Sequence, residues 1–104
     1  MELRRSPRVP MQVECTLHRR TGSAIPCRTL DVGPGGMCVC SPRPLAADEE
    51  LTFELAEPPI EGRARVLRQQ GLDVYAVRFE GLREPSREAL ERLATPAAGE
   101  RAAP

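Results

Sequence analysis

Proline and glycine interrupt this sequence so often that any helix must be short. Eleven prolines and eight glycines are distributed over 104 residues. Proline lacks a backbone donor and glycine favours turns, so this spacing is typical of strands joined by tight connections. With 3% aromatic residues and no Trp, the core must come from Leu, Val, Ile, Met and Cys. A chain of this length fits one compact domain with one core, which favours a small all-β barrel or sandwich and excludes a second catalytic domain.

Alternation of apolar and polar residues predicts six strands. In the first, Met11, Val13, Cys15 and Leu17 alternate with polar neighbours from Pro10 onward. The others are predicted at about residues 25–32, 37–40, 50–56, 60–69 and 72–80. The last strand is apolar on both faces, so a helix predicted over residues 85–94 is expected to cover its outer side.

These elements predict one domain over residues 1–96. Residues 1–9, which are rich in arginine and poor in apolar side chains, form an arm. The barrel is predicted over residues 10–80, the helix follows at 85–94, and residues 97–104 are predicted to form a disordered tail.

Charge is balanced overall but uneven along the chain. Fifteen basic residues match fifteen acidic ones, yet residues 1–30 hold six arginines against two acids. A net charge of zero argues against a general polyanion binder, whereas the arginine-rich end is the part expected to meet an anion. No apolar run is long enough to span a bilayer, and the N-terminus lacks a hydrophobic signal segment. We therefore expect a cytoplasmic protein with no membrane partner.

The four cysteines are expected to be reduced and buried in that compartment. Cys38-x-Cys40, together with His18, offers possible metal ligands. Zinc-binding pairs usually have about two to four intervening residues, whereas an alternating pair in a strand places two side chains on one face. The sequence therefore predicts structural cysteines, with no metal and no cofactor.

No arrangement typical of an enzyme is present. His18 is the sole histidine, no Ser or Cys nucleophile has a recognisable base, and no paired carboxylates flank a conspicuous turn. Nucleic-acid binding is also disfavoured, because the three aromatic residues lie in apolar strands and leave few stacking platforms.

Residues 31–36, DVGPGG, are the segment of greatest functional interest. Three glycines and a proline predict a tight connection between two strands. The Asp31 carboxylate only accepts hydrogen bonds, and glycines without Cβ allow a flat ligand to approach the backbone. A simple hairpin turn with a solvated Asp is the alternative interpretation.

The turn motif and the arginines of the arm together match the pattern of a known family. Arg4-x-x-x-Arg8 followed by Asp31-x-Gly33-x-x-Gly36 resembles the PilZ domain, the bacterial receptor module for cyclic di-GMP. The likeness continues through Gly36-Met37 and Val77-Arg78-Phe79, and thus covers roughly residues 3–95. It implies a six-stranded antiparallel barrel with a short C-terminal helix.

The resemblance also implies a ligand clamped between arm and barrel. The ligand-binding residues would be Arg4, Arg8, Asp31, Gly33 and Gly36. Arginine can pair with guanine O6 and N7, contact phosphate and stack on the purine, while Asp31 can accept from guanine N1–H and N2–H.

Arg5 lies within the arm motif, and Gly33 departs from the turn motif of the family. Arg5 is a further candidate for a phosphate contact, with a solvent-exposed charge as the alternative. Gly33 replaces the Ser of the family pattern, so one hydroxyl donor is missing. Two functions therefore stay open: a cyclic di-GMP receptor that changes arm conformation and signals to an unidentified downstream protein, or an adaptor that acts through protein contacts without nucleotide.

Overall fold

The computed structural model describes residues 9–57 and 59–94, with side chains through residue 92. Residues 1–8 of the predicted arm, residues 95–96 of the predicted domain and the predicted tail 97–104 lie outside the described residues. This part of the chain contains β1 (Val9–Pro10), β2 (Glu14–Arg19), β3 (Ala24–Val32), β4 (Gly36–Cys40), β5 (Glu50–Leu55), β6 (Ile60–Gly71), β7 (Val74–Glu80) and α1 (Glu84–Ala94).

The strands form a six-stranded antiparallel barrel with one outer strand. The sheet order is β1-β3-β2-β5-β6-β7-β4, and β4 also pairs with β3. This last pairing closes the ring from β2 to β7, while β1 lies on β3 outside it. The predicted all-β barrel with a C-terminal helix is thus confirmed, with β1 as the one addition.

Aliphatic side chains and one aromatic pair fill the barrel. Leu17, Ile25 and Val39 are fully buried. Phe53 and Phe79 stack with their ring centroids 4.6 Å apart. The inward positions follow the alternation seen in the sequence, so binary patterning accounts for most of the core.

The helix closes one end of the barrel. Its bounds agree with the prediction to within one residue, but its main contacts are with β6 and β3, which are not neighbours in the sheet. Leu90 is completely buried in the core cluster, and Leu82 packs against that cluster just before the helix. The expectation that α1 covers the outer side of β7 is therefore wrong. The helix instead shields the apolar interior that the barrel end would expose to water.

The predicted first strand is divided in two. Residues 11–13 are not part of the ladder, and they separate β1 from β2. Here the side chain of Thr29, instead of a backbone carbonyl, accepts the hydrogen bond of Val13 N–H at 2.9 Å. The final strand also begins later than predicted, because Leu72 lies in the β6–β7 turn and is 87% exposed.

Within the described residues, no helix is long and apolar enough to cross a membrane.

Candidate ligand-binding site

Three of the predicted site residues lie together at the β3–β4 connection. Asp31 is near the end of β3, Gly33 begins the turn, and Gly36 begins β4. Arg4, Arg5 and Arg8 fall outside the described residues. The described residues therefore contain the barrel side of the candidate site and strand β1, which directly follows the arm.

A β-bulge turns Asp31 away from the core. Ile25, Cys27 and Thr29 are buried, so strict alternation would also place Asp31 inside. The register of β3 on β4 shifts between Thr29 and Asp31, which leaves Leu30 as the extra residue. Asp31 consequently lies opposite outward-facing Cys38 and is half-buried, while Val32 enters the core. Since a carboxylate is costly to bury in an apolar core, the bulge makes this position available to an acid.

Strand β1 leads the arm to this position. Val9 lies opposite Val32, and Pro10 lies opposite Asp31, in an antiparallel pairing. The residue that follows Arg8 in the chain is therefore directly opposite the residue that precedes Gly33. The neighbourhood of arm and turn, expected for an antiparallel barrel, is present at the point where the described chain begins.

Thr29 connects the segment between β1 and β2 to the barrel through hydrogen bonds. Its hydroxyl donates to the carbonyl of Met11 at 2.6 Å and accepts from Val13 N–H at 2.9 Å. Two backbone bonds flank this contact, from Thr29 N–H to Val13 O and from Met11 N–H to Leu30 O. Thr29 is fully buried, so these bonds form away from competing water. Sequence reasoning missed this residue. The available signal was a hydroxyl-bearing residue at a strand position that alternation predicts to be buried.

The turn of residues 33–36 is tied to both its own hairpin and β7. Gly33 N–H donates to Gly36 O at 2.9 Å, and Phe79 N–H donates to Gly35 O at 3.0 Å. Within the described part of the chain, the glycines with positive φ are Gly22 and Gly81. Gly33 is therefore in a backbone conformation that residues with a side chain also adopt.

Gly36 has a packing role that the motif did not reveal. A Cβ placed on this residue would lie 2.3 Å from the carbonyl oxygen of Val77 and 3.3 Å from Arg78 Cα. Only a hydrogen atom fits there, because β4 and β7 approach closely at this pair. Gly36 thus allows β4 and β7 to pack closely next to the candidate site. A contact between this residue and a ligand remains a prediction.

The cysteines divide between the two faces of the barrel. Cys15 and Cys27 lie opposite each other inside it, and burial together with the neighbouring Cys27 thiol raises the pKa of Cys15 to about 12. Cys38 and Cys40 share the outer face, as their spacing predicted, with Asp31 and Arg28 opposite them. Cys40 is exposed, so the expectation that all four are buried is wrong for this residue. Among the residues described, no group of three or more His, Cys, Asp or Glu side chains could hold a metal ion.

The sequence matches the model of the PilZ domain over residues 2–95. The chain belongs to the PilZ family. PilZ domains form a receptor family for cyclic di-GMP and are non-catalytic binding modules. No curated protein matches the sequence.

Two solved structures are similar in fold. The first is the Bacillus subtilis inhibitor of motility MotI/DgrA, with a TM-score of 0.79 at 15% identity over 90% of this chain and 50% of that one. This PilZ chain thus corresponds to about half the length of MotI/DgrA. The second is the PilZ domain of CeSA from a cellulose-synthesizing bacterium, with a TM-score of 0.66 at 18% identity over 84% of this chain and 93% of that one.

Proposed function

We propose that this PilZ domain is a cytoplasmic receptor for cyclic di-GMP, bound between the arginine arm and the outer face of β3 and β4. The observation that carries the proposal is the β1–β3 register, which places the residue after Arg8 opposite Val32 beside an outward-facing Asp31. The arm pattern and the turn pattern are 23 residues apart between Arg8 and Asp31, but the fold brings their ends together.

The chemistry of the two sides is complementary to this ligand. Arginines from the arm supply planar donors that suit phosphate, the O6 and N7 atoms of guanine, and stacking on the purine. Asp31 supplies an acceptor for guanine N1–H and N2–H. Binding would draw the arm onto the barrel, and the altered arm would be the feature that a downstream protein recognises.

Titration calorimetry with cyclic di-GMP tests the proposal. We expect the wild-type protein to bind and Arg8→Ala to lose about 1.5 to 3 kcal/mol, the usual value of a hydrogen bond involving a charged group. Arg87→Ala is the matched control, because Arg87 is an exposed arginine on α1. It should bind like the wild type.

Two results would contradict the receptor assignment. If the folded wild-type protein gives no binding heat and no ligand-dependent shift in melting temperature, the adaptor function replaces it. If Arg8→Ala binds as tightly as the wild type, the arm is not part of the site.

Gly33→Ser provides a second prediction. The φ angle of Gly33 is compatible with a serine, and the substitution supplies the hydroxyl that the family pattern has at this position. Cyclic di-GMP should bind more tightly by about 0.5 to 1.5 kcal/mol, the usual net value of one hydrogen bond, at nearly unchanged stability. Gly33→Ala is the control without a hydroxyl. Equal affinities of the Ser and Ala variants would show that the hydroxyl makes no contact with the ligand.

A further inference from the structure

Two cysteines face each other across the β2–β3 pair inside the barrel. Cys15 on β2 is directly opposite Cys27 on β3. Both side chains point into the core and are only 2% and 9% exposed, like the fully buried Leu17 and Ile25 two residues further along the same faces. Residues directly opposite in antiparallel strands have neighbouring side chains. The two thiols are therefore neighbours within the core.

The backbone hydrogen bonds of this hairpin define the distance between the two cysteines. Thr29 N–H donates to Val13 O at one end of the pairing. Arg19 N–H donates to Ser23 O at the other end. Because hydrogen-bonded positions alternate along an antiparallel ladder, the two cysteines occupy such a position, with Cα atoms about 5.5 Å apart. Most disulfides have Cα atoms about 5.5 to 6 Å apart, so the pair can be bridged without a change of register.

A disulfide at this position would be strained and therefore easily reduced. The Cβ atoms of a hydrogen-bonded pair lie near the upper end of about 4.5 to 5.5 Å, whereas disulfides prefer about 3.5 to 4.5 Å. The two strands must thus approach slightly as the S–S bond forms. Strained disulfides have more oxidising potentials and are typically the labile or regulatory ones.

An open groove gives a small oxidant access to the pair. The groove has a volume of about 670 Å³. Its lining includes Cys15, Cys27, Cys40, Ser41, Pro42 and Arg28. Burial raises the pKa of Cys15 to about 12 and also raises that of Cys27, so both thiols are protonated at neutral pH. Since the thiolate is the reactive form, oxidation requires sustained exposure to the oxidant.

We propose that Cys15 and Cys27 form a reversible disulfide when the protein is exposed to hydrogen peroxide. The Cys27 sulfur, the more exposed of the two, attacks the peroxide O–O bond and becomes a sulfenic acid, while the other oxygen leaves as water with the thiol proton. The Cys15 sulfur then bonds to the Cys27 sulfur, and the sulfenic hydroxyl leaves as a second water with the Cys15 proton. The two thiols lose two electrons, which reduce one peroxide to two waters.

The disulfide would join β2 to β3 two residues from the contact between Val13 and Thr29. That contact holds the segment between β1 and β2, so the oxidised barrel would be cross-linked beside the connection to the arm. In the proposed cytoplasmic location, a disulfide is usually transient or redox-sensing. The pair would act as a redox-sensitive restraint on the barrel whether or not nucleotide is bound.

Tryptic mapping of the folded protein tests this inference. Cleavage after arginine places the two inner cysteines in separate peptides, 9–19 and 21–28. Both outer cysteines lie in a third peptide, 29–63, because Arg43 is followed by proline. After treatment with hydrogen peroxide and alkylation of the remaining thiols, peptides 9–19 and 21–28 should be linked, with a mass two hydrogens below their sum. Dithiothreitol should separate them again.

Cys40→Ser is the control, because it removes the exposed thiol and with it any bridge that Cys40 forms between two molecules. This variant should form the same link between peptides 9–19 and 21–28. The inference is wrong if peroxide leaves these peptides unlinked in the folded protein, even if they become linked in urea. It is equally wrong if peptide 29–63 is linked instead, or if Cys40→Ser abolishes the link. None of these results bears on the titration with cyclic di-GMP, so the two proposals fail separately.

Discussion

Gly36→Ala should reduce the free energy of unfolding by about 1 to 3 kcal/mol, the typical cost of forcing an additional carbon into a packed site. The added Cβ would meet the Val77 carbonyl oxygen at 2.3 Å, far inside contact distance. A backbone atom of a central strand cannot rotate aside as a long side chain can. The β4–β7 ladder must therefore separate locally, and urea unfolding monitored by circular dichroism measures the loss.

The matched control is Gly71→Ala. A Cβ at Gly71 would meet its nearest atom, Val74 Cβ, at 3.7 Å, an ordinary contact. This variant should unfold within about 0.5 kcal/mol of the wild type, since Gly→Ala also narrows the unfolded ensemble. If both substitutions shift the unfolding midpoint equally, the close approach of β4 and β7 is not what requires Gly36.

Thr29→Val should destabilise the protein by a similar amount, about 1 to 3 kcal/mol, because it leaves buried polar groups without a partner. Valine retains the branched shape but cannot accept from Val13 N–H or donate to the Met11 carbonyl. The affected segment connects the arm to β2, so cyclic di-GMP affinity should fall along with stability.

Thr29→Ser separates the hydroxyl from the shape of the side chain. Serine keeps both hydrogen bonds and loses one buried methyl group, for which we expect about 0.8 kcal/mol. Urea unfolding of the two variants shows whether the hydrogen bonds or the packing of Thr29 contribute more to stability. A valine variant as stable as the wild type, with a weaker serine variant, would assign the role of Thr29 to packing alone.

Local patterning was sufficient for most of the architecture. Alternation from Leu51 to Leu55 predicted β5, because a strand with one buried face needs a period of two. The apolar stripe around Leu90 predicted α1, because a surface helix needs one buried face. The arm and turn motifs resembled those of the PilZ domain, and the family model over residues 2–95 confirms this membership.

The tertiary structure alone decided which face of the barrel Asp31 occupies. Alternation would have buried Asp31, and only the pairing of β3 with β4 shows the bulge that directs it outward. Gly36 is similar, because its requirement for a hydrogen atom comes from Val77, 41 residues along the chain. Register, close approach and bulges depend on strands that are distant in sequence, so a pattern read along one strand does not contain them.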